Sequence, residues 1–285
     1  MERNKLSWLT LFIGPSALWL LLLFVLPMGA MALFTFRAGS FGAEREIFTL
    51  EHYRDFLGQR SYHLLLWRST WMSLWVAILS IVLAYPVAHY LVFRAGDRRI
   101  LYLLVLMAPG WISFLLRIFA WKVILGSGGA LNSLLLWSGA IQEETPILLY
   151  SPLAVVVVLV YVWIPFAALP IFASLQRIDN SLLEAAADLG SPDWETFLRV
   201  VLPLSLPGVG AAFFLVFIPT LGEYVTPLLV GGVNGIMYGN VIQSQFARAL
   251  NWPLGSLLSL VMLLVVLPIM LLFNRLVKLE EIVEI

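Results

Sequence analysis

The chain has 285 residues, 61% of them hydrophobic and 12% charged, with a formal net charge of zero and no cysteine. Soluble domains carry about 25% charged residues, so this chain is not built to be wetted on all sides. Zero net charge argues against a nucleic-acid partner, which needs a basic surface, and the missing cysteines exclude disulfides and thiolate sites.

In chain order, six apolar stretches are long enough to cross a bilayer as helices: about residues 8–36, 64–93, 100–125, 152–175, 206–230 and 254–273. Lipid cannot satisfy free backbone groups, and these runs lack a two-residue alternation, so helices rather than a β-barrel are expected. The first stretch is too long for a signal-peptide core and reads as a retained membrane helix. Prolines fall within or beside the spans at Pro27, Pro86, Pro109, Pro165, Pro170, Pro219 and Pro227, each inviting a kink. His52, His63 and His89 are scattered and show no metal-ligand spacing.

Lysine and arginine set the orientation. Arg3, Lys5, the dense connector Arg94, Arg98 and Arg99, then Arg177, Arg199, Arg275 and Lys278 fall on one side. That puts both termini and the loop 176–205 in the cytoplasm. The whole chain, 1–285, then forms a single membrane domain, with outer loops large enough only to act as caps.

The loop holds the most informative segment, SLLEAAADLGSPDWETFLRVVLPLSLPG, Ser181 to Gly208. Ser181 with Glu184 has the spacing of a capping box. Gly190 suits the left-handed residue that closes a helix. Ser191 and Pro192 then suit the cap and first position of a second helix leading to Pro203. Ala185 and Ala186, followed by Leu189 and Gly190, make a face that another backbone could approach closely. Glu184 and Asp188 lie one turn apart, available to a basic partner. A solvated connecting helix is the plainer alternative.

The pattern Glu184-Ala185-Ala186, Gly190, Val200, Leu202-Pro203 resembles the signature loop of the permease subunits of binding-protein-dependent ABC importers, with valine where isoleucine is usual. The segments FTLEHYRDFL, SFLLRIFAWKVILGSGGALNSLL, FIPTLGEYVTPLLVGG and NWPLGS extend the resemblance to the spermidine/putrescine type. The resemblance implies an all-α type I permease fold in the bacterial inner membrane, with six transmembrane helices. Ser181–Gly190 would be a coupling helix held by an ATPase. It also implies two ATP-binding cassette subunits carrying the ATP and magnesium, a second permease forming a heterodimer, and a periplasmic substrate-binding protein. That protein would dock on the loops Phe41 to Tyr62 and Gly231 to Gln245. No GxxxxGK[ST] occurs here, so energy must come from a partner. Similar importers carry opines or amino acids, phosphonates, iron or thiamine.

Charges within spans mark candidate function. Glu223 lies between Pro219 and Pro227 in a stretch that should loosen the helix. It either attracts a cation on the translocation path or pairs structurally with Arg117 or a backbone donor. Arg117 and Lys122 sit toward the outer end of the third span. As one helix, that span puts Arg117 roughly 25 Å from the inner edge. An unpaired arginine would repel a polyamine and welcome an anion. Aromatic faces can hold an ammonium group, and Tyr224, Trp111 and Tyr85 are candidates. A membrane enzyme would need a paired acid/base or metal constellation, and a stand-alone carrier usually has an internal repeat. Neither feature is evident in the sequence.

Overall fold

The computed structural model describes residues 14–145 and 149–277. Arg3, Lys5 and Lys278, used above for orientation, lie outside the described residues, as do residues 8–13 of the first expected span. Six helical runs are long and apolar enough to cross a membrane: Gly14–Phe34 (α1), Arg60–Phe93 (α3), Phe114–Trp137, Pro152–Leu175 (α7), Asp193–Leu221 (α9) and Trp252–Leu272, the last lying within α11 (Trp252–Val277). The remaining helices are α2 (Glu51–Gly58), α4 (Arg99–Met107), α8 (Asn180–Asp188) and α10 (Tyr238–Ala247). The run Phe114–Trp137 comprises α5 (Phe114–Leu125) and α6 (Ala130–Trp137). The only β-pairing among the described residues is one isolated bridge, Arg37 to Phe48.

The chain divides into two compact units. The first joins residues up to Tyr62 with Val241–Leu264. Its loop after α1 is an ordered cap. Thr35 donates to the Ala32 carbonyl at 2.7 Å and shares a 2.7 Å hydrogen bond with the Tyr53 hydroxyl. Ser40 Oγ accepts the Trp252 N–H at 2.8 Å and donates to the Leu250 carbonyl. Both Phe34 and Phe41 lie against the Trp252 ring.

The second unit, His63–Asn240 with the end of α11, is built around α7 and α9, whose packing is the most extensive in the chain. Val155, Val158, Ala167, Ala168 and Ile171 of α7, and Ala212, Val216 and Leu221 of α9, are fully buried. Lipid tails are as apolar as these side chains, so close van der Waals packing rather than the hydrophobic effect holds such helices together. Gly208 allows that closeness. A Cβ there would sit 2.5 Å from the Pro170 carbonyl oxygen and would collide with the Ser174 side chain. Tyr85 of α3 adds a buried polar tie to α9, sharing a 2.7 Å hydrogen bond with Ser205.

The third span is not one helix. α4 ends at Met107, a 3-10 turn covers Ala108–Trp111, and Ile112 and Ser113 are extended before α5 begins. Pro109 removes a backbone donor and Gly110 has no side chain to hold a helical turn, so two adjacent breakers end the helix rather than bend it. The roughly 25 Å helical separation expected between Arg117 and the inner edge therefore does not apply.

Candidate functional site

The loop expected to meet an ATPase is a short helix, a tight turn and the start of α9. α8 is alanine-rich and forms readily. Its cap is not the expected Ser181–Glu184 box. Asp179 is the N-cap, and its carboxylate accepts the Ser181 N–H at 2.9 Å. The helix begins one residue before Ser181, so the serine falls inside the first turn, where its side chain cannot serve as cap. Hydrogen bonding from the Ser181 N–H and hydroxyl holds the Asp179 carboxyl below its usual value. A depressed folded value means the cap contributes fully above the ordinary carboxylate value and is lost as pH falls below that value through the lowered one. Amide exchange at Ser181–Glu184 should therefore speed up in Asp179→Ala and, in the native chain, on acidification. Asp179→Asn should keep the cap and lose most of the pH response.

The C-terminal turn is as expected. Gly190 has φ +77°, its N–H reaches the Ala187 carbonyl at 2.9 Å, and the Ser191 N–H reaches Ala186 at 3.0 Å. This pair of bonds is a Schellman closure. Pro192 lies one position before α9 rather than at its first residue, and Ser191 bonds the Thr196 hydroxyl instead of a backbone N–H. The second helix does not stop at Pro203. It runs on to Leu221 through a π turn at Phe197–Val201, which absorbs the donor missing at Pro203.

Almost all of α8 is uncovered by this chain. Ser181, Glu184, Ala185, Asp188 and Gly190 are exposed, Ala186 is half-buried, and Leu189 is 88% exposed. Among the described residues neither Glu184 nor Asp188 has an ion pair; the one salt bridge joins Arg199 to Glu195 at 2.8 Å.

The second cluster surrounds Glu223. α9 ends at Leu221, and a short helical segment resumes at Val225 and includes a π turn at Pro227–Gly231. Glu223 Oε1 accepts the Val225 N–H at 2.7 Å and the Thr226 N–H at 3.2 Å. Of the roles left open by the sequence, the structural one is thus met by backbone donors and not by Arg117. Tyr224 is 42% exposed, and its carbonyl accepts from Asn240 Nδ2 at 2.7 Å. Gly239 permits this contact, since a Cβ there would lie 2.5 Å from the Gly222 carbonyl oxygen. Ser69 Oγ accepts the Tyr238 N–H at 2.7 Å, and Arg68 donates to the Ile236 carbonyl. The sequence reading missed this clamp of Arg68, Ser69, Gly239 and Asn240. A cation at the end of an apolar run was the one available signal.

The remaining candidates are scattered. Arg117, in the first turn of α5, is only 8% exposed, with Nε and Nη1 lacking a hydrogen-bond partner among the described residues. Its guanidinium lies 5.8 Å from the Phe114 ring centroid. Trp111 is 75% exposed on the 3-10 turn. Tyr85 is buried, with its hydroxyl engaged by Ser205 and its ring edge-on to Phe197. Lys122 sits 5.7 Å from the centre of the Tyr150 ring.

Residues 10–281 match the family described as "Binding-protein-dependent transport system inner membrane component". The chain belongs to this family. It is accordingly a multi-pass inner-membrane permease subunit of an ABC importer, a class assembled from permeases, ATP-binding subunits and a binding protein. Among similar members, the spermidine/putrescine transport system permease protein PotB of Salmonella typhimurium strain SL1344 is 37% identical over 230 residues, covering 80% of this chain and 79% of that one. Its counterpart in Escherichia coli K12 is 38% identical over 220 residues, covering 77% and 79%. The inner membrane ABC transporter permease protein YdcU of E. coli K12 is 33% identical over 229 residues, covering 76% of this permease and 72% of YdcU. The same fold occurs in a bacterial ABC transporter involved in alginate import, with TM-score 0.71 at 16% identity over 97% of this permease and 96% of that chain.

Proposed function

We propose that this permease is one half of a heterodimer that imports polyamines. A periplasmic binding protein delivers putrescine or spermidine to the outer loops Phe41 to Tyr62 and Gly231 to Gln245. Two ATP-binding subunits, which carry the ATP and magnesium, grip α8 and its counterpart in the second permease. Their closure opens the cavity outward, and hydrolysis resets it. The observation that carries this reading is α8, a capped and closed helix whose Glu184, Ala185 and Asp188 are exposed, with neither acidic residue in an ion pair among the described residues. The substrate class rests on the relatives named for spermidine and putrescine transport. Glu223 supports it, because the carboxylate keeps acceptor capacity on Oε2 beside the exposed ring of Tyr224, and an ammonium can use both.

An importer of a phosphonate or carboxylate solute is the second reading. Arg117 favours it, since a buried guanidinium whose Nε and Nη1 find no hydrogen-bond partner among the described residues repels a polycation and can donate to an anion.

ATP-dependent uptake in proteoliposomes containing the assembled importer and its binding protein separates the two. Putrescine and spermidine should be taken up in preference to amino acids, opines and phosphonates. Glu223→Gln, which keeps an oxygen acceptor for the two N–H groups, should lower polyamine uptake by about tenfold, corresponding to roughly 1.4 kcal/mol. No uptake of any polyamine would remove the substrate class and leave the importer reading standing.

A further inference from the structure

Behind α8 lies a cavity of about 320 Å³, bounded by the end of α3, the inner face of α8 and the start of α9. That volume is within the range of small-ligand sites, about 300–1,000 Å³. Its apolar wall includes Phe93, Phe197, Leu183 and Val201. Its polar lining is Arg94, Asp193, His89, Asn180 and the hydroxyls of Ser191 and Thr196. Among the described residues neither Arg94 nor Asp193 takes part in an ion pair. One cation, one anion and an aromatic-aliphatic wall around the same space match a zwitterion on an apolar stem.

The stem has a track to follow. Leu83, Val87 and Tyr90 are all exposed on α3, and with Arg94 they follow at helical spacing along one face. Arg94 comes directly after the last residue of α3 and, with Arg98 and Arg99, closes that apolar run with a basic cluster of the kind that marks a membrane-water boundary. The stripe ends at Arg94, which also lines the cavity, so an acyl chain lying on it would bring its headgroup there.

We propose that this cavity seats the headgroup of a phosphatidylethanolamine from the cytoplasmic leaflet. The phosphate meets the Arg94 guanidinium and the ammonium meets the Asp193 carboxylate. A purely anionic lipid would face Asp193 without a compensating positive group and is disfavoured. An occupied cavity supports α8 from behind through Leu183 and Ala187, which line it, and so restrains the helix offered to the ATPase. The proposal rests on the importer reading only for the choice of leaflet and for this last consequence. Lipid binding is measured directly, so its failure is separable from a failure of coupling.

The test is native mass spectrometry of the assembled importer with added phosphatidylethanolamine, phosphatidylglycerol or soluble glycerophosphoethanolamine. Phosphatidylethanolamine should be retained over phosphatidylglycerol. Asp193→Lys should reverse that preference by about tenfold or more, and Arg94→Glu should abolish retention. Leu183→Trp, which fills the cavity and leaves both charges in place, should also abolish it, and it decides the matter if Asp193→Lys fails to assemble. Equal retention of the two lipids by the native importer would overturn the proposal. So would a preference unmoved by these substitutions, or soluble headgroup binding as tight as the lipid.

Discussion

Glu184→Arg combined with Gly190→Val should abolish productive assembly with the ATP-binding subunits and cut ATP-driven uptake by on the order of 100-fold, corresponding to about 2.8 kcal/mol. Gly190 has φ +77°, and a β-branched residue there is strained by about 1–2 kcal/mol. That strain opens the bonds from Gly190 to Ala187 and from Ser191 to Ala186, so the turn into α9 loses its fixed angle. Glu184→Arg acts separately, reversing the charge on an exposed surface without touching the fold. Co-purification of the ATPase and ligand-stimulated hydrolysis are the measurements. If both persist at native levels, α8 is only a solvated connector. Circular dichroism and a single size-exclusion peak would verify that the permease itself remains folded.

Gly208→Val should be strongly damaging to the packing of α7 against α9. Overpacking costs about 1–3 kcal/mol, and the upper end applies because the Pro170 carbonyl belongs to the backbone of α7 and cannot rotate away. The expected readout is a sharp fall in thermal stability in detergent, with loss of monodisperse protein. Gly29→Val is the control, because a Cβ at Gly29 meets nothing within 4 Å. Similar losses in both variants would mean that the close approach of α7 and α9 is not what Gly208 provides.

Much of the architecture was legible because lipid leaves the backbone few options. Long apolar runs had to be helices, and six runs of sufficient length are present. Gly190 could be read because a left-handed position selects for glycine. The N-cap was misassigned because Asp179 and Ser181 are both good caps two residues apart, and local preference alone does not choose between them. Pro109 signalled a kink, but the full break needed Gly110 beside it and an extended Ile112–Ser113. The π turn at Phe197–Val201 left no pattern in hydropathy, since a one-residue change in hydrogen-bond register does not alter composition. The clamp on the Glu223 loop was invisible for a different reason. Ser69 and Tyr238 lie far apart in sequence, and nothing local announces their hydrogen bond.

α9 spans 29 residues, about 43 Å at 1.5 Å per residue, with its π turn confined to the lower end. Its lower end emerges from the turn after α8 and its upper end stops just short of Glu223. Gly208 seats the part above the π turn directly against α7, so a displacement that passes the turn moves a closely packed helix pair. A tilt of about 5° about the foot would carry the tip sideways by about 4 Å, enough to remake the hydrogen bonds of the acidic loop without unwinding a turn of helix.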